Sequence, residues 1–311
     1  MCPLRRISLL ATARYPGRCP VFRAFTLIEL LVVIAIVTVL VGILVPSLAA
    51  ARTSARQTKE MATSGQLMIA YQLYANDARG QVMPGYGSVA MGGTDAASGG
   101  SSGGSSGNGG VLRVVDEKGG RLYGQEARRY PWRILPYLDF NFRGLYDDER
   151  TLERYKLRSD FLYVVSLSPS LGINADFVGG KGEPGFGFNQ QALSRWGKFY
   201  ISRMDEARDA TKLVVFTSAR GVDPDGGSVA GFHTVDSPHF LTNRWSLFTF
   251  DPSSNPVTTG GVDFRWNGGK ASGRAVTGMI DGHSAMQSLA ELSDMRKWSN
   301  QASRADWVVG P

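Results

Sequence analysis

From Leu30 to Val45 the sequence runs LLVVIAIVTVLVGILV, with Thr38 as its only polar side chain. A stretch of this kind cannot lie on a surface facing water. At about 1.5 Å rise per residue, a helix from Phe25 to Leu48 reaches roughly 36 Å, enough to cross a hydrocarbon core of about 30 Å. A membrane helix over residues 25–48 is therefore the first expectation. The competing reading is a secretory signal peptide, because a basic segment precedes the apolar one and Ala49-Ala50-Ala51 offers small residues for cleavage. The apolar region of a signal peptide, however, is only about 7–15 residues long.

Arg5, Arg6, Arg14, Arg18 and Arg23 crowd residues 1–24, which contain no Asp or Glu. Their charge predicts that the N-terminus stays in the cytoplasm, so that the body after Leu48 lies in the periplasm, outside the inner membrane. They also explain most of the net charge of +7: without these five, the 34 basic residues fall to 29 against 27 acidic ones. A chain starting at Phe25 would thus carry only +2, too small a basic excess to point to nucleic acid. Cys2 and Cys19 lie in the same segment, so that shorter chain has no thiol for a disulfide or a metal.

Glu29 stands at the edge of the apolar run, where a charge at mid-helix costs about 2.5–3.5 kcal/mol on insertion scales. It needs a partner. The segment from Ala24 and Phe25 through Thr26, Leu27, Ile28, Glu29, Leu30 and Leu31 to Ile36 resembles the prepilin cleavage and methylation motif of type IV pilins and type II secretion pseudopilins. That resemblance implies that prepilin peptidase cuts between Ala24 and Phe25, that the new amino group of Phe25 is N-methylated, and that the apolar helix is kept. Pilins more often have Gly at the position of Ala24. The resemblance also implies a role for Glu29: its carboxylate pairs with the Phe25 amino group of a neighbouring subunit and fixes register. Pilins commonly carry a proline late in this helix, as Pro46 does here. It removes one helical hydrogen bond, and a simple membrane-helix kink is the equally good plain reading.

Residues 49–76 contain no proline, and Leu67, Tyr71 and Tyr74 mark one apolar face at helical spacing. This predicts a periplasmic continuation of the helix packed on a sheet, with Arg52, Arg56 and Lys59 on a basic, solvated face. Residues 77–311 form the expected body, with the Gly/Ser-rich stretch 92–110 as a flexible insertion too poor in apolar side chains to order itself. Val111–Val115 and Leu122-Tyr123 flank the turn-prone Lys118-Gly119-Gly120 as a hairpin. Tyr130 to Leu138, rich in aromatics with two prolines, predicts a short helix or turn in the core. Met204–Ala210 has a helical charge pattern, and Lys212–Thr217 (KLVVFT) is a buried-strand pattern. Asp281-Gly282-His283 between alternating runs signals another hairpin. The fold class expected is α+β: a long N-terminal helix, membrane-spanning in its first half, packed on an antiparallel β-sheet body with long loops.

The segment Phe264–Gly269, together with Asp281-Gly282-His283, is similar to the C-terminal part of the large pilin-like proteins of planctomycetes and related bacteria, which usually have His where Trp266 stands. Three histidines, His233, His239 and His283, give no zinc-ligand spacing. Asp281 and His283 are weak candidates for a cation, against a turn that the same side chains satisfy. Asp223 and Asp225 lack the full calcium-loop pattern, and no nucleophile elbow or phosphate loop is present. No cofactor and no enzyme are expected. The leading function is a structural pseudopilin whose partners are prepilin peptidase, other pseudopilins and the inner membrane. The alternative is a membrane-anchored module that binds a polymer such as a polysaccharide through Trp132, Trp196, Trp245 and Trp266, which an exposed row of those rings would favour. A cleft gathering His233, Asp236 and His239 would instead revive an enzyme.

Overall fold

The computed structural model describes residues 26–87, 114–180, 190–238, 245, 257–266 and 273–309. The expected leader 1–24 and Gly/Ser insertion 92–110, with Val111–Arg113, His239 and Asn267–Gly269, lie outside them. Two units make up the chain, Met1–Arg52 and Thr53–Pro311.

The described part of the first unit is helix. Helix α1, Leu27–Asp77, begins there and runs through Pro46 without a break. Every described residue from Thr26 to Arg56 is exposed, including Leu27, Ile34 and Ile43, which are 57–79% accessible. Burying that much apolar surface is worth about 25 cal/mol per Å², so this stretch calls for lipid or other apolar helices around it. It is long and apolar enough to cross a membrane.

In the second unit the same helix changes character. Glu60, Thr63, Ser64, Leu67, Met68, Ala70, Tyr71, Tyr74 and Ala75 are buried, a stripe that recurs every three or four residues and marks one face against a core. The face rests on a five-stranded sheet of order β5-β1-β2-β8-β9, formed by Leu171–Asn174 (β1), Val214–Ser218 (β2), Thr234–Val235 (β5), Arg274–Met279 (β8) and Ser284–Ser288 (β9). Its pairings are antiparallel except at the β5 edge, which runs parallel to β1. Two ribbons complete the strands: Arg220–Val222 (β3) with Ser228–Ala230 (β4), and Val257–Thr259 (β6) with Val262–Phe264 (β7).

Alternation along β8 divides the interior into two layers. Ala275 and Met279 join a core with Phe177, Phe264, Leu292 and Trp298. Gly278 and Ile280 turn to the other side, where Leu67, Tyr71, Trp132 and Phe216 form a second core under α1. A bulge between Val214 and Phe216 lets β2 contribute to both layers. Trp132 is fully buried and its indole nitrogen donates to Leu162 O at 2.8 Å, so the Tyr130–Leu138 aromatics are structural, on a helix Tyr130–Ile134 and a 3-10 turn Leu135–Leu138.

Among the described residues the hairpin around Lys118 shows one bridge, Val115 with Arg121, the expected arm Val111–Arg113 lying outside them, and the stretch Met204–Ala210 forms only a 3-10 turn, Met204–Glu206. There the carboxylate of Glu206 accepts from the Ser202 amide at 2.8 Å and the Lys198 ammonium at 2.6 Å. Side chains that bond nearby backbone compete with helix extension. Helices Glu149–Lys156 and Phe161–Leu167 and strand β1 were not foreseen from sequence.

Candidate processing and assembly site

Helix α1 starts with a reciprocal cap. Thr26 Oγ1 accepts from the Glu29 amide at 3.2 Å, while Glu29 Oε2 accepts from the Thr26 amide at 2.8 Å and the Thr26 hydroxyl at 2.9 Å. This is a capping box, in which a Thr and a Glu three residues later satisfy orphan amides at a helix start. It was legible in the sequence as Thr-x-x-Glu before an apolar run, yet Glu29 alone drew attention there. The box also places the carboxylate at the positive end of the helix dipole. Both bonds that the carboxylate accepts use Oε2. Among the described residues, Oε1 accepts no hydrogen bond, which leaves one carboxylate oxygen for a cation from elsewhere.

Ala24 and Phe25 lie outside the described residues. At Pro46 the lost amide leaves a carbonyl one turn earlier without its usual donor. Nearby, Ser47 Oγ donates to Leu44 O at 2.9 Å and Thr38 Oγ1 to Ile34 O at 2.7 Å, so the hydroxyls of this apolar stretch are satisfied by the helix itself, as a low-dielectric setting demands.

Among the described residues, the remaining sequence candidates do not assemble into a second site. Asp281 and His283 occupy the tip of the β8–β9 hairpin, where Asp281 Oδ1 accepts from the His283 amide at 3.1 Å and lies 2.6 Å from its Nδ1. Gly282 takes φ 102° there, a conformation that suits glycine. No group of three or more His, Cys, Asp or Glu side chains that could hold a metal occurs among the described residues. Asp223 Oδ1 accepts from the amides of Asp225 and Gly227, the bonding of a turn. His233 is buried against Phe232 and Tyr86. The open cavity beside Lys198, Tyr200, Arg208 and Asn300, of about 260 Å³, is lined by neither His233 nor Asp236.

The four tryptophans do not form an exposed row. Trp132 and Trp266 are buried; Trp196 and Trp245 are half-buried and packed on the Trp298 core. One functional neighbourhood was missed in the sequence altogether: Glu60, Asp263 and Arg265 meet in the interior. The available signal was a carboxylate seven residues before Leu67, on the apolar stripe itself.

A family model described as the prokaryotic N-terminal methylation motif matches residues 21–45. Neither a curated protein nor a solved structure matches the chain. The matched residues span the Ala24–Phe25 junction, the Thr26–Glu29 box and most of the exposed apolar stretch. The N-terminus of the chain thus carries a prokaryotic methylation motif of the kind that type IV pilin-like proteins have, leading into a helix long and apolar enough to cross a membrane.

Proposed function

We propose that the chain is a pseudopilin, a structural subunit of a type II secretion-like or type IV pilus-like filament. It enters the inner membrane with residues 1–24 in the cytoplasm. Prepilin peptidase cuts between Ala24 and Phe25, the Phe25 amino group is methylated, and α1 packs with the helices of other pseudopilins while residues 77–311 face the periplasm. The observation that carries this reading is the methylation motif running directly into an apolar stretch that no other described residue covers. In water that surface is costly; lipid before assembly and neighbouring helices after it remove the cost.

Glu29 fits the same sequence of events. Its Oε2 is engaged in the Thr26 box, and Oε1 can meet the Phe25 ammonium of an adjacent subunit in a medium where Coulomb attraction is strong. The role proposed is mechanical, not catalytic. The polysaccharide-binding alternative loses its main support, since the four indoles it relied on are wholly or half buried.

Intact-mass measurement of the protein co-expressed with a prepilin peptidase tests the proposal. The expected product lacks residues 1–24 and carries one added methyl. Ala24→Glu should block cleavage, whereas Glu29→Ala should leave cleavage intact and abolish incorporation into filaments. Cleavage near Ala51, or none at all, would refute it and leave an exported or simply anchored protein.

A further inference from the structure

The first buried residue along α1 is a carboxylate. Glu60 is fully buried, and an ion taken out of water costs several kcal/mol unless its partners compensate. Its Oε2 accepts from Trp266 Nε1 at 2.6 Å. Its Oε1 lies 3.3 Å from Arg265 Nη2 but has no hydrogen bond. The guanidinium of Arg265 is shared further: Nε sits 3.4 Å from Asp263 Oδ2, Nη1 sits 4.0 Å from Asp147 Oδ2, and Nη2 donates to the carbonyls of Ser170 and Ala219. Asp263, also fully buried, accepts from Arg220 Nε at 3.0 Å, and its Oδ1 has no hydrogen bond. Lys59 points outward, its ammonium donating to Asp147 O at 2.7 Å beside Glu149 at 3.8 Å, where water screens it.

Three carboxylates, Glu60, Asp263 and Asp147, thus face two guanidiniums, Arg265 and Arg220. Among the described residues, this interior cluster carries one negative charge in excess. A single proton cancels it, and Glu60 Oε1 is a buried carboxylate oxygen that accepts no hydrogen bond. Desolvation pushes the Glu60 carboxyl up to about 7, Asp147 adding to the rise while Arg265, Ser218 and Trp266 oppose it. Burial raises Asp263 too.

We propose that Glu60 is the proton-binding group of a latch that joins the first buried turn of α1 to the Asp263–Trp266 segment, closed when Glu60 is protonated and loosened when it is ionised. The protonated carboxyl keeps its bond from Trp266 through the carbonyl oxygen and leaves Arg265 to Asp263 and Asp147. Ionisation returns the unbalanced charge to a buried site, and the strain is relieved when the turn opens. The sign follows from linkage. A carboxyl whose value is higher folded than unfolded gives stability that is complete below its ordinary value of 4.5 and is lost as pH rises through about 7. Between those limits the folding equilibrium falls about tenfold per pH unit and then levels off. The latch lies within the body and holds whether or not the chain assembles into filaments.

Two measurements on the full-length protein in detergent test it. Urea unfolding followed by near-ultraviolet circular dichroism, at intervals from pH 5 to 8.5, should show wild type losing stability as pH rises to about 7 and levelling off above it, relative to Glu60→Gln, whose curve should lack that fall. Parallel curves would overturn the latch. Infrared spectra of wild type carrying 13C-labelled glutamate do not depend on the variant folding. A protonated-carboxyl band that persists to pH 6 and disappears near 7 supports the proposal; complete loss of that band by pH 5.5 overturns it.

Discussion

Gly278 of β8 packs closely against α1 and sets up a test of the seating of the helix. A Cβ at this position would lie 2.8 Å from Met68 Cγ, 3.1 Å from Met68 Sδ and 3.0 Å from Ser64 Oγ. Unstrained carbon contacts sit at about 3.5–4.0 Å, so something must move by several tenths of an ångström. Met68 has a flexible side chain that can yield. Ser64 yields less, because its hydroxyl accepts from Ser284 Oγ at 2.9 Å. Strand propensity works the other way, favouring Val over Gly by up to about 1 kcal/mol. Overpacking typically costs about 1–3 kcal/mol, and Val adds two methyl groups beyond the clashing Cβ. The clash should win: Gly278→Val is expected to destabilise the body by about 2 kcal/mol, or a fall in Tm of about 4–8 °C for a chain of this size. The control is Gly65→Ala on α1, where a new Cβ would meet only Ser284 Oγ at 4.0 Å. There helix propensity acts nearly unopposed, and a gain of about 0.5–1 kcal/mol is expected. Thermal melts of both variants in detergent, monitored by near-ultraviolet circular dichroism, should move in opposite directions. A Gly278→Val protein as stable as wild type would refute the packing of α1 against β8.

Other substitutions separate the remaining interactions. Arg265→Met leaves Glu60 and Asp263 buried without their shared cation and should cost about 3–5 kcal/mol in urea unfolding, far more than Glu60→Gln. Ser288→Ala removes the capping box of helix Leu289–Leu292, in which Ser288 Oγ accepts from the Glu291 amide, for a loss of about 1 kcal/mol. Asp294, bonded by Arg296, and Glu291, bonded by the Ser288 amide, are both held below the usual carboxylate range. Their contribution is present above the ordinary unfolded values and lost as pH falls through the lowered ones. Unfolding curves should therefore show a second loss of stability on the acid side, below about pH 4, distinct from the loss near 7.

What the sequence made legible depended on how local the physical signal was. The apolar run, the Thr26–Glu29 spacing, the Leu67–Tyr71–Tyr74 stripe and the Asp281–His283 turn are each decided within a few residues of chain, and the motif, helix and β8–β9 hairpin stand where those patterns placed them. The sheet order was not legible. Strand β1 is four residues long and pairs with β2 across some forty residues and with β5 across some sixty, distances over which no periodicity operates. The Glu60 cluster was hidden for the same reason: Arg265 and Trp266 lie more than two hundred residues from Glu60, so the meaning of a carboxylate on an apolar stripe could not be read until its partners were found. Once they are, the two acidic residues of α1 that interrupt apolar surface prove to be alike in kind. Glu29 and Glu60 each have one oxygen engaged in hydrogen bonds and the other without any among the described residues. The first faces the outside of the chain, where a cation from another subunit can reach it. The second is sealed inside, where only a proton is small enough to enter without rearranging the core, and this difference in access is what suits the one to the assembly role proposed for it and the other to the proposed latch within the body.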